Sequence, residues 1–336
     1  MKFFTKLFRL LGKWGIDWFI PALLLMIALA SLWPEGGLGQ GSFSLRSLSG
    51  YGISVIFFLY GLRLSVRQLL SCLSNWKLHL IIQSVTFIVF PLLILMFRNY
   101  FKAGPYELLW TGAFFLAALP STVSSAVVMV SLANGNVPAA VFNASFSSIA
   151  GIVIAPLWMG LVLSTGNSDG FDMSPVLLKL SYQVLLPLLA GVLLHKWFGE
   201  PAIRYRMFTR YFDQSVILAI VYTSFSNSFN SGLFSNMGID VILILIIALL
   251  LLFALINGFI YMLIRKVKLG KPDMITALFC GSTKSLMHGT VMAKVIFGAA
   301  GAGGVILLPI LIYHALQLTI TGIMSQRFSA NELKNK

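Results

Sequence analysis

The chain has little charge, and acidic residues are the scarcest part of it. Of its 336 residues, 24 are Lys or Arg and 10 are Asp or Glu, while 58% are hydrophobic. Soluble domains carry roughly 25% charged residues, so the composition excludes an ordinary soluble domain and indicates a polytopic membrane protein. The net charge of +14 does not indicate a nucleic-acid partner, because the basic residues fall between apolar runs and form no soluble basic face.

Cysteine is also scarce, and common catalytic motifs are missing. The two cysteines, Cys72 and Cys280, cannot build a disulfide framework or a Cys-rich metal site. The sequence has no HExxH, no GxSxG and no phosphate-binding loop. We therefore expect no enzyme activity, no cofactor and no metal ligands. A Ser–Lys hydrolytic pair would need a serine from another helix, such as Ser121 or Ser124, because close sequence neighbours do not face each other on a helix.

The apolar runs predict ten membrane-spanning helices, each near the ~20 residues that cross a bilayer. With the N-terminus in the cytoplasm, 18 of the 24 basic residues fall in cytoplasmic segments and 5 fall outside. This segregation predicts that both termini are cytoplasmic, in a cell membrane that we take to be the bacterial inner membrane. The predicted spans are 14–33, 50–70, 78–97, 108–133, 137–163, 176–198, 212–232, 238–264, 274–297 and 303–324.

Lys284 is the one remaining basic residue, and it lies in the middle of the ninth predicted span. A charge at this depth costs at least ~2.5–3.5 kcal/mol on insertion scales, so such residues are rare and mark functional sites. Its neighbours in residues 281–285 (GSTKS) are small or carry hydroxyls. They suit a polar cavity better than a surface against lipid.

A related motif lies in the fourth predicted span, where residues 120–124 read PSTVS. Each motif interrupts an apolar run with a helix breaker and hydroxyls, and five spans separate the two. Five is an odd number, so the two halves would have opposite topology. Interrupted spans at matching places in inverted halves point to the binding site of a secondary transporter.

With these motifs, the chain resembles the bile acid:sodium symporter family, solute carrier family 10. It is most similar to the branch of the seventh human member and its bacterial homologues. The resemblance covers nearly the whole chain and rests on residues 119–122 (LPST), 134–137 (NGNV) and 279–286 (FCGSTKSL), and on a polar fifth span that carries Asn143, Ser145, Ser147 and Ser148.

The resemblance implies an all-α membrane protein with ten transmembrane helices in two inverted five-helix repeats, 1–164 and 165–336. Helices 4 and 9 would be broken and would cross at the membrane midplane. A core domain (helices 3–5 and 8–10, roughly 78–163 and 238–326) would move against a panel domain (helices 1–2 and 6–7, roughly 14–70 and 176–232). The substrate would bind between the two domains.

The sequence departs from the family at the sodium sites. By resemblance, the family's glutamate position falls on Phe279 or Cys280, and its Gln-Asn pair falls on residues 283–284. Two hydroxyl positions of helix 5 fall on Ala140 and Ala144. A hard cation prefers oxygen ligands, and an ammonium beside it would repel it. We therefore expect the Lys284 ammonium to replace the ion, with carbonyls or nearby hydroxyls as its partners.

These residues predict a symporter-like secondary transporter of a small organic anion in the lipid bilayer. A permanently charged Lys284 would attract the substrate, whereas one that exchanges a proton would couple transport to pH, so H⁺ and Na⁺ both stay open as coupling ions. The alternatives are a regulatory membrane protein that keeps the fold, a sodium symporter with a rearranged site, and, less favoured, an anion channel. The predicted crossover site comprises Lys284, Ser282, Thr283, Ser285, Ser121, Thr122, Ser124 and Ser125, and the predicted relay or lining residues are His288, Asn143, Ser147, His314, Gln317, Ser224 and Asn227.

His288 is the predicted relay because it follows Lys284 by four residues. In a regular helix that spacing places two side chains on one face. A histidine also changes charge near neutral pH, which suits a proton relay.

Overall fold

The computed structural model describes residues 18–39, 41, 43–64, 75–164, 174–235, 237–298 and 301–334, and this part of the chain is helical and contains no strand. Its long helices, each of nine residues or more, are α1 (Phe19–Leu32), α2 (Leu45–Leu62), α3 (Trp76–Leu95), α4 (Glu107–Ala118), α5 (Ser124–Leu132), α6 (Val137–Ser164), α7 (Ser174–Arg204), α8 (Arg206–Asn230), α9 (Ile239–Val267), α10 (Lys271–Ser282), α11 (Leu286–Phe297) and α12 (Gly303–Lys334). The boundary predicted between the two halves borders residues 165–173, which lie outside the described ranges.

Six of these helices are long and apolar enough to cross a membrane: α2, α3, α6, α7, α9 and α12. The remaining predicted spans differ for local reasons. The fourth and ninth are each divided in two by a break, and the first begins among residues outside the described ranges. Helix α8 is long but is polar in its C-terminal half. The chain is therefore a multi-pass helical membrane protein.

Helix α3 contains a widened turn that prepares one wall of the site. Residues Val85–Val89 form a π-turn, and Pro91 follows it. Because proline has no N–H, the carbonyls four and five residues before it, Phe87 and Thr86, lack their helical donor. Trp158 Nε1 donates to the Phe87 carbonyl at 2.8 Å. The Thr86 carbonyl is left available to a side chain from another helix.

The same device recurs in α7. A π-turn at Ser181–Leu185 precedes Pro187, which deprives the Gln183 carbonyl of its helical donor. Ser54 Oγ of α2 donates to that carbonyl at 3.2 Å. Proline thus creates a contact between two helices that already pack closely against each other.

Glycines allow the closest helix contacts. A Cβ built on Gly61 of α2 would lie 3.1 Å from the Cα of Gly191 in α7. A Cβ on Gly112 of α4 would lie 3.0 Å from the Cα of Ile306 in α12. Small residues at such crossings let the backbones approach and pack in the absence of a hydrophobic driving force.

A polar cluster ties three connections together at one end of the molecule. Asp273, in the first turn of α10, accepts from Asn75 Nδ2 at 2.7 Å and from Asn136 Nδ2 at 2.8 Å. The N–H of Asn136 donates to Thr276 Oγ1 at 2.9 Å. The turn itself needs the left-handed Asn134, whose φ is 57°, a conformation that asparagine tolerates. The starts of α3, α6 and α10 therefore lie side by side.

Candidate functional site

The two breaks found in the sequence meet in the structure. Helix α4 ends at Ala118 and α10 ends at Ser282, and each is followed by extended backbone. The N–H of Ser285 donates to the Pro120 carbonyl at 2.8 Å. The hydroxyls of Ser121 and Thr283 lie 3.2 Å apart. Each unwound segment thus provides hydrogen-bond partners for polar groups of the other. Buried backbone N–H and C=O groups need such partners.

The Lys284 side chain is 1% exposed and donates three hydrogen bonds at this crossing. Its Nζ lies 2.8 Å from the Thr86 carbonyl, 2.6 Å from the Ala117 carbonyl and 2.8 Å from the Leu119 carbonyl. It also lies 4.2 Å from the centre of the Phe90 ring, a cation–π distance. All three donors of the ammonium are therefore used by backbone carbonyls.

The origin of these carbonyls explains why a cation is stable there. Ala117 and Leu119 lie at the C-terminal end of α4, where the last carbonyls have no helical partner and carry partial negative charge. The Thr86 carbonyl is released by Pro91, as described above. The sequence predicts carbonyls or nearby hydroxyls as hydrogen-bond partners of the Lys284 ammonium. In the structure the partners are carbonyls.

Gln317 of α12 pairs with the unwound backbone of Lys284. The Lys284 N–H donates to Gln317 Oε1 at 2.7 Å, and Gln317 Nε2 donates to the Lys284 carbonyl at 2.8 Å. Gln317 Nε2 also lies 3.0 Å from His314 Nδ1. Nearby, the Tyr313 hydroxyl donates to the Ser282 carbonyl at 2.7 Å. Side chains of α12 thus replace the helical hydrogen bonds that the break removes.

The predicted hydroxyls divide into those at the crossing and those turned away from it. Ser147 Oγ accepts from the Ser121 N–H at 2.9 Å. Thr283 and Ser282 donate back to carbonyls of their own helix at 2.8 and 2.6 Å. These residues fix the backbone, and none of them contacts the ammonium.

Four further hydroxyl residues lie where the second halves of the broken helices begin. Ser285 caps α11 by accepting from the His288 N–H at 3.3 Å. Ser125 Oγ, in the first turn of α5, donates at 3.1 Å to Thr122 Oγ1, which precedes the helix. Ser124, which the sequence placed in the site, is exposed.

His288 does not share a face with Lys284, because the regular helix begins only at Leu286. Its Nδ1 lies 3.0 Å from Ser285 Oγ, and its ring packs edge-on against Phe57 and Tyr60 of α2. The ammonium of Lys284 points instead toward α3 and α4. A four-residue spacing aligns two side chains only in a regular helix, and the break at residues 283–285 removes that condition.

Three buried polar atoms between α2, α6 and α11 form no hydrogen bond of standard geometry within the described residues. They are the Tyr60 hydroxyl, Ser148 Oγ and His288 Nε2. The Ser148 hydroxyl lies near enough to the Tyr60 hydroxyl to interact with it, and the Tyr60 and His288 ring centres are 6.1 Å apart. Buried polar atoms are normally paired, so an unpaired group of them indicates room for a polar ligand or water.

Asn143, which the sequence placed near the crossover, turns toward α3. Its Nδ2 lies 2.8 Å from His79 Nδ1 and donates to the Ala139 carbonyl at 2.8 Å. Gln83 Nε2 donates to Asn143 Oδ1 at 3.1 Å. This network joins α3 to α6 and does not reach Lys284.

Ser224 and Asn227 of α8 lie elsewhere again. They line a cavity of about 370 Å³ together with Lys294, which lies in the last turn of α11. They are not part of the crossing.

Four of the positions that the resemblance matched to sodium ligands hold apolar residues that are fully buried. Ala140, Ala144, Phe279 and Cys280 are each 0% exposed. The Cys280 thiol points toward the Ala140 carbonyl at 4.0 Å. In the part of the chain that the structure describes, no group of three or more His, Cys, Asp or Glu residues could hold a metal ion.

The sequence missed two features of this site. Thr86 is not among the residues predicted for the site, although Pro91 in the same helix signals a free carbonyl. Gln317 is predicted only to line the site, and no local pattern could reveal its partner 33 positions away.

Comparisons with known proteins identify the family of this chain. The sequence model of the SBF-like CPA transporter family matches residues 17–330. The "Uncharacterized protein PA2026" of Pseudomonas aeruginosa is 37% identical over 313 residues, 93% of each chain. The "Putative symporter YfeH" of Escherichia coli is 34% identical over 323 residues, 96% of this chain and 94% of the relative. The "Sodium/bile acid cotransporter 7" of Rattus norvegicus is 30% identical over 323 residues, 94% and 93% of the two chains.

Proposed function

Because this chain belongs to the SBF-like CPA transporter family, we propose that it is a secondary active transporter of a small organic anion. In this proposal Lys284 stands where sodium-coupled members hold their ion, so that coupling is sodium-independent or proton-linked. The observation that carries the proposal is the Lys284 ammonium, buried against three carbonyls at the crossing of two broken helices.

We infer ten spans in two inverted repeats, with α4 and α5 forming the fourth span and α10 and α11 the ninth. This arrangement is supported because residues that it assigns to the same side of the membrane lie close together. Asn75, Asn136 and Asp273, which the topology assigns to the cytoplasmic side, meet at one end. Arg46 and Lys294, which it assigns to the outer side, meet at the other. Cytoplasmic termini and a bacterial inner membrane complete the proposal.

Lys284 acts as a built-in cation in this mechanism. The C-terminal end of α4 carries roughly half a negative charge, which a bound sodium ion would neutralise in a sodium-coupled member. Hydrogen bonds to a charged group contribute roughly 1.5–3 kcal/mol each. Three of them offset the ~2.5–3.5 kcal/mol insertion cost of the lysine. The crossing is therefore stable without a mobile ion.

The substrate site in this proposal is the space between α2, α6 and α11. The unpaired Tyr60 hydroxyl, Ser148 Oγ and His288 Nε2 offer hydrogen bonds to a ligand there. Phe57 and Tyr60 supply apolar walls around them. Hydroxyl donors in an apolar surround, close to a buried positive charge, suit an amphipathic organic anion.

The decisive experiment is uptake into proteoliposomes. Radiolabelled taurocholate and a set of smaller carboxylates and sulfonates would be offered under an inward Na⁺ gradient, under an inward H⁺ gradient, and under neither. We expect uptake that does not change when Na⁺ is replaced by K⁺. Lys284→Gln should reduce it by about tenfold or more, because the neutral amide cannot serve three carbonyls, whereas the exposed Lys102→Gln should not.

Two outcomes would contradict the proposal. Uptake that requires Na⁺ in the unmodified protein would favour a sodium symporter with a rearranged site. Unchanged uptake and protein yield in Lys284→Gln would remove Lys284 from the mechanism. Stimulation by the H⁺ gradient would select the proton-linked version over the sodium-independent one.

One observation favours a second candidate, a regulatory membrane protein that keeps the transporter fold. The Lys284 ammonium uses all three of its donors, and Gln317 pairs with both of its backbone groups. Such a crossing could be fixed permanently. In that case no anion would accumulate under any gradient, and a partner protein would co-purify with the chain.

A further inference from the structure

A cationic cavity lies away from the crossing, among the ends of α2, α7, α8 and α11. Its volume is about 370 Å³, and no Asp or Glu is among the described residues that line it. Three cations converge on it, Arg46, Lys179 and Lys294, and the polar side chains beside them include Ser47, Gln183, Ser224 and Asn227.

Two of the three cations donate hydrogen bonds to backbone carbonyls rather than to carboxylates. Arg46 Nη2 donates to the Gly298 carbonyl at 2.8 Å. Lys294 Nζ donates to the Arg46 carbonyl at 2.7 Å and also to the Ser49 hydroxyl. Among the described residues the one ion pair joins Arg63 to Asp213, and neither of these lines the cavity. The charges of the cavity are therefore not neutralised within the described part of the chain.

Lys179 completes the cluster from α7. Its side chain is exposed, and it has no hydrogen bond or ion pair within the described residues. Like charges held together in a partly enclosed space repel one another, and low-dielectric walls focus their field. An anion in the cavity would relieve this repulsion. The hydroxyls and amides beside the cations could donate further hydrogen bonds to it.

We infer that this cavity binds an anionic group, a carboxylate, sulfonate or phosphate, from the outer side of the membrane. The assignment to the outer side and the expectation that the ligand is a transported solute rest on the proposed function. Anion binding itself rests on the lining of the cavity. Helices α2, α7 and α8 belong to the proposed panel domain and α11 to the core domain. A bound anion would therefore join the two domains at their outer ends.

The test is a thermal-denaturation titration of the purified full-length protein in detergent. Inorganic phosphate and methanesulfonate are the probes, added at constant ionic strength. We expect both to raise the melting temperature of the unmodified protein. Lys179→Gln should weaken the apparent affinity by about fivefold, the effect of losing one partly exposed charge contact. Lys102→Gln, a matched change at an exposed lysine that does not line the cavity, should leave the affinity unchanged.

A second arm separates a free anion from a lipid headgroup. The titration is repeated in nanodiscs of zwitterionic lipid, with and without phosphatidylglycerol. If that lipid stabilises the unmodified protein but not Lys179→Gln, and suppresses the effect of phosphate, the site stands and its occupant is a headgroup. If neither phosphate nor methanesulfonate shifts the melting temperature, or if Lys179→Gln and Lys102→Gln respond alike, the inference is wrong.

The result is independent of the proposed function. Anion binding that is sensitive to Lys179, together with no uptake in liposomes, would support this site and contradict transport. Uptake that depends on Lys284, without anion binding that depends on Lys179, would support transport and contradict this site.

Discussion

At the scale of single residues, the most unusual feature is a buried lysine that has no carboxylate partner within the described part of the chain. An isolated buried charge is strongly unfavourable, and proteins usually pair it with an opposite charge. Here Lys284 is instead surrounded by helix-terminal and proline-released carbonyls. Metal cations are coordinated by oxygens of the same kind. The site is therefore a carbonyl cage occupied by an ammonium.

This interpretation predicts that sodium can rescue a variant without the ammonium. Lys284→Ala removes the cation and leaves three buried carbonyls facing a space that a hydrated or bare ion could enter. We expect a lower melting temperature, corresponding to roughly 3–5 kcal/mol for breaking a buried charged network, and partial recovery when Na⁺ replaces N-methylglucamine.

The unmodified protein and Lys102→Ala are the controls, and neither should respond to Na⁺ beyond the general effect of salt. If Na⁺ raises the melting temperature of all three proteins equally, the carbonyls of the crossing are not a cation cage.

Gln317 supports a second prediction at the same scale. Gln317→Leu would leave the buried N–H and carbonyl of Lys284 without partners, at a cost of roughly 1–3 kcal/mol for each group. We expect a clearly lower melting temperature and loss of uptake. Asn257→Leu is the matched control, because the Asn257 amide donates to the Phe253 carbonyl of its own helix. Equal effects of the two substitutions would contradict the role of Gln317 at the break.

At the scale of helices, the sequence predicted the breaks because their cause is local. Pro120 and Gly281 are helix breakers inside apolar runs, and hydroxyl side chains around them can satisfy unwound backbone. The extended residues at Leu119 and Thr283 follow from this chemistry. The positions of the helices beside each break could be predicted in the same way.

The contacts across the crossing could not be predicted, because they depend on where other helices place their backbones. The sequence predicted either carbonyls or hydroxyls as partners of Lys284. The packing of α3 and α4 around Lys284 determines that the partners are carbonyls. The expected alignment of His288 with Lys284 assumed a regular helix through the break, and the break itself prevents it. Ser124 is the first residue of the second half-helix and is exposed, which its position in the motif alone did not indicate.

Pro91 supports a prediction about the π-turn of α3. Pro91→Ala restores an N–H that can compete with Lys284 for the Thr86 carbonyl and favours a regular turn in place of Val85–Val89. We expect a lower melting temperature, and a smaller further loss when Lys284→Met is already present. A double-mutant cycle measures this coupling.

Pro187→Ala is the control for that cycle, because it alters the other π-turn, where the released carbonyl meets Ser54. Its effect should add to that of Lys284→Met without coupling. Additive behaviour of Pro91→Ala as well would show that the π-turn of α3 does not serve Lys284.

At the scale of the whole molecule, the two proposed domains touch where the C-terminal end of α8 meets the start of α12. Ser228 of α8 donates to the Gly301 carbonyl at 2.9 Å and accepts from the Gly304 N–H at 3.0 Å. These contacts tie α8 to the start of α12 beside the cationic cavity. A transporter that moves its core against its panel must break them in every cycle.

A disulfide across this contact should therefore stop transport. A Cβ built on Gly303 would lie 3.3 Å from the Cβ of Ser224, close to the ~3.5–4.5 Å spacing of disulfides. We expect the oxidised double variant Gly303→Cys/Ser224→Cys to lose uptake of the anion identified in liposomes, and a reductant to restore it. The reduced form of the same protein is the internal reference, which removes any effect of the substitutions themselves.

The matched control is a disulfide within the proposed panel. A Cβ on Gly52 of α2 would lie 3.4 Å from the Cβ of Val216 in α8, so Gly52→Cys/Val216→Cys should also form a bond. Because α2 and α8 would move together, its oxidised and reduced forms should transport equally well. If both disulfides block uptake, the division between core and panel is wrong. If neither blocks uptake although mass spectrometry shows both bonds, the outer ends of α8 and α12 stay together during transport, and the motion must occur elsewhere in the fold.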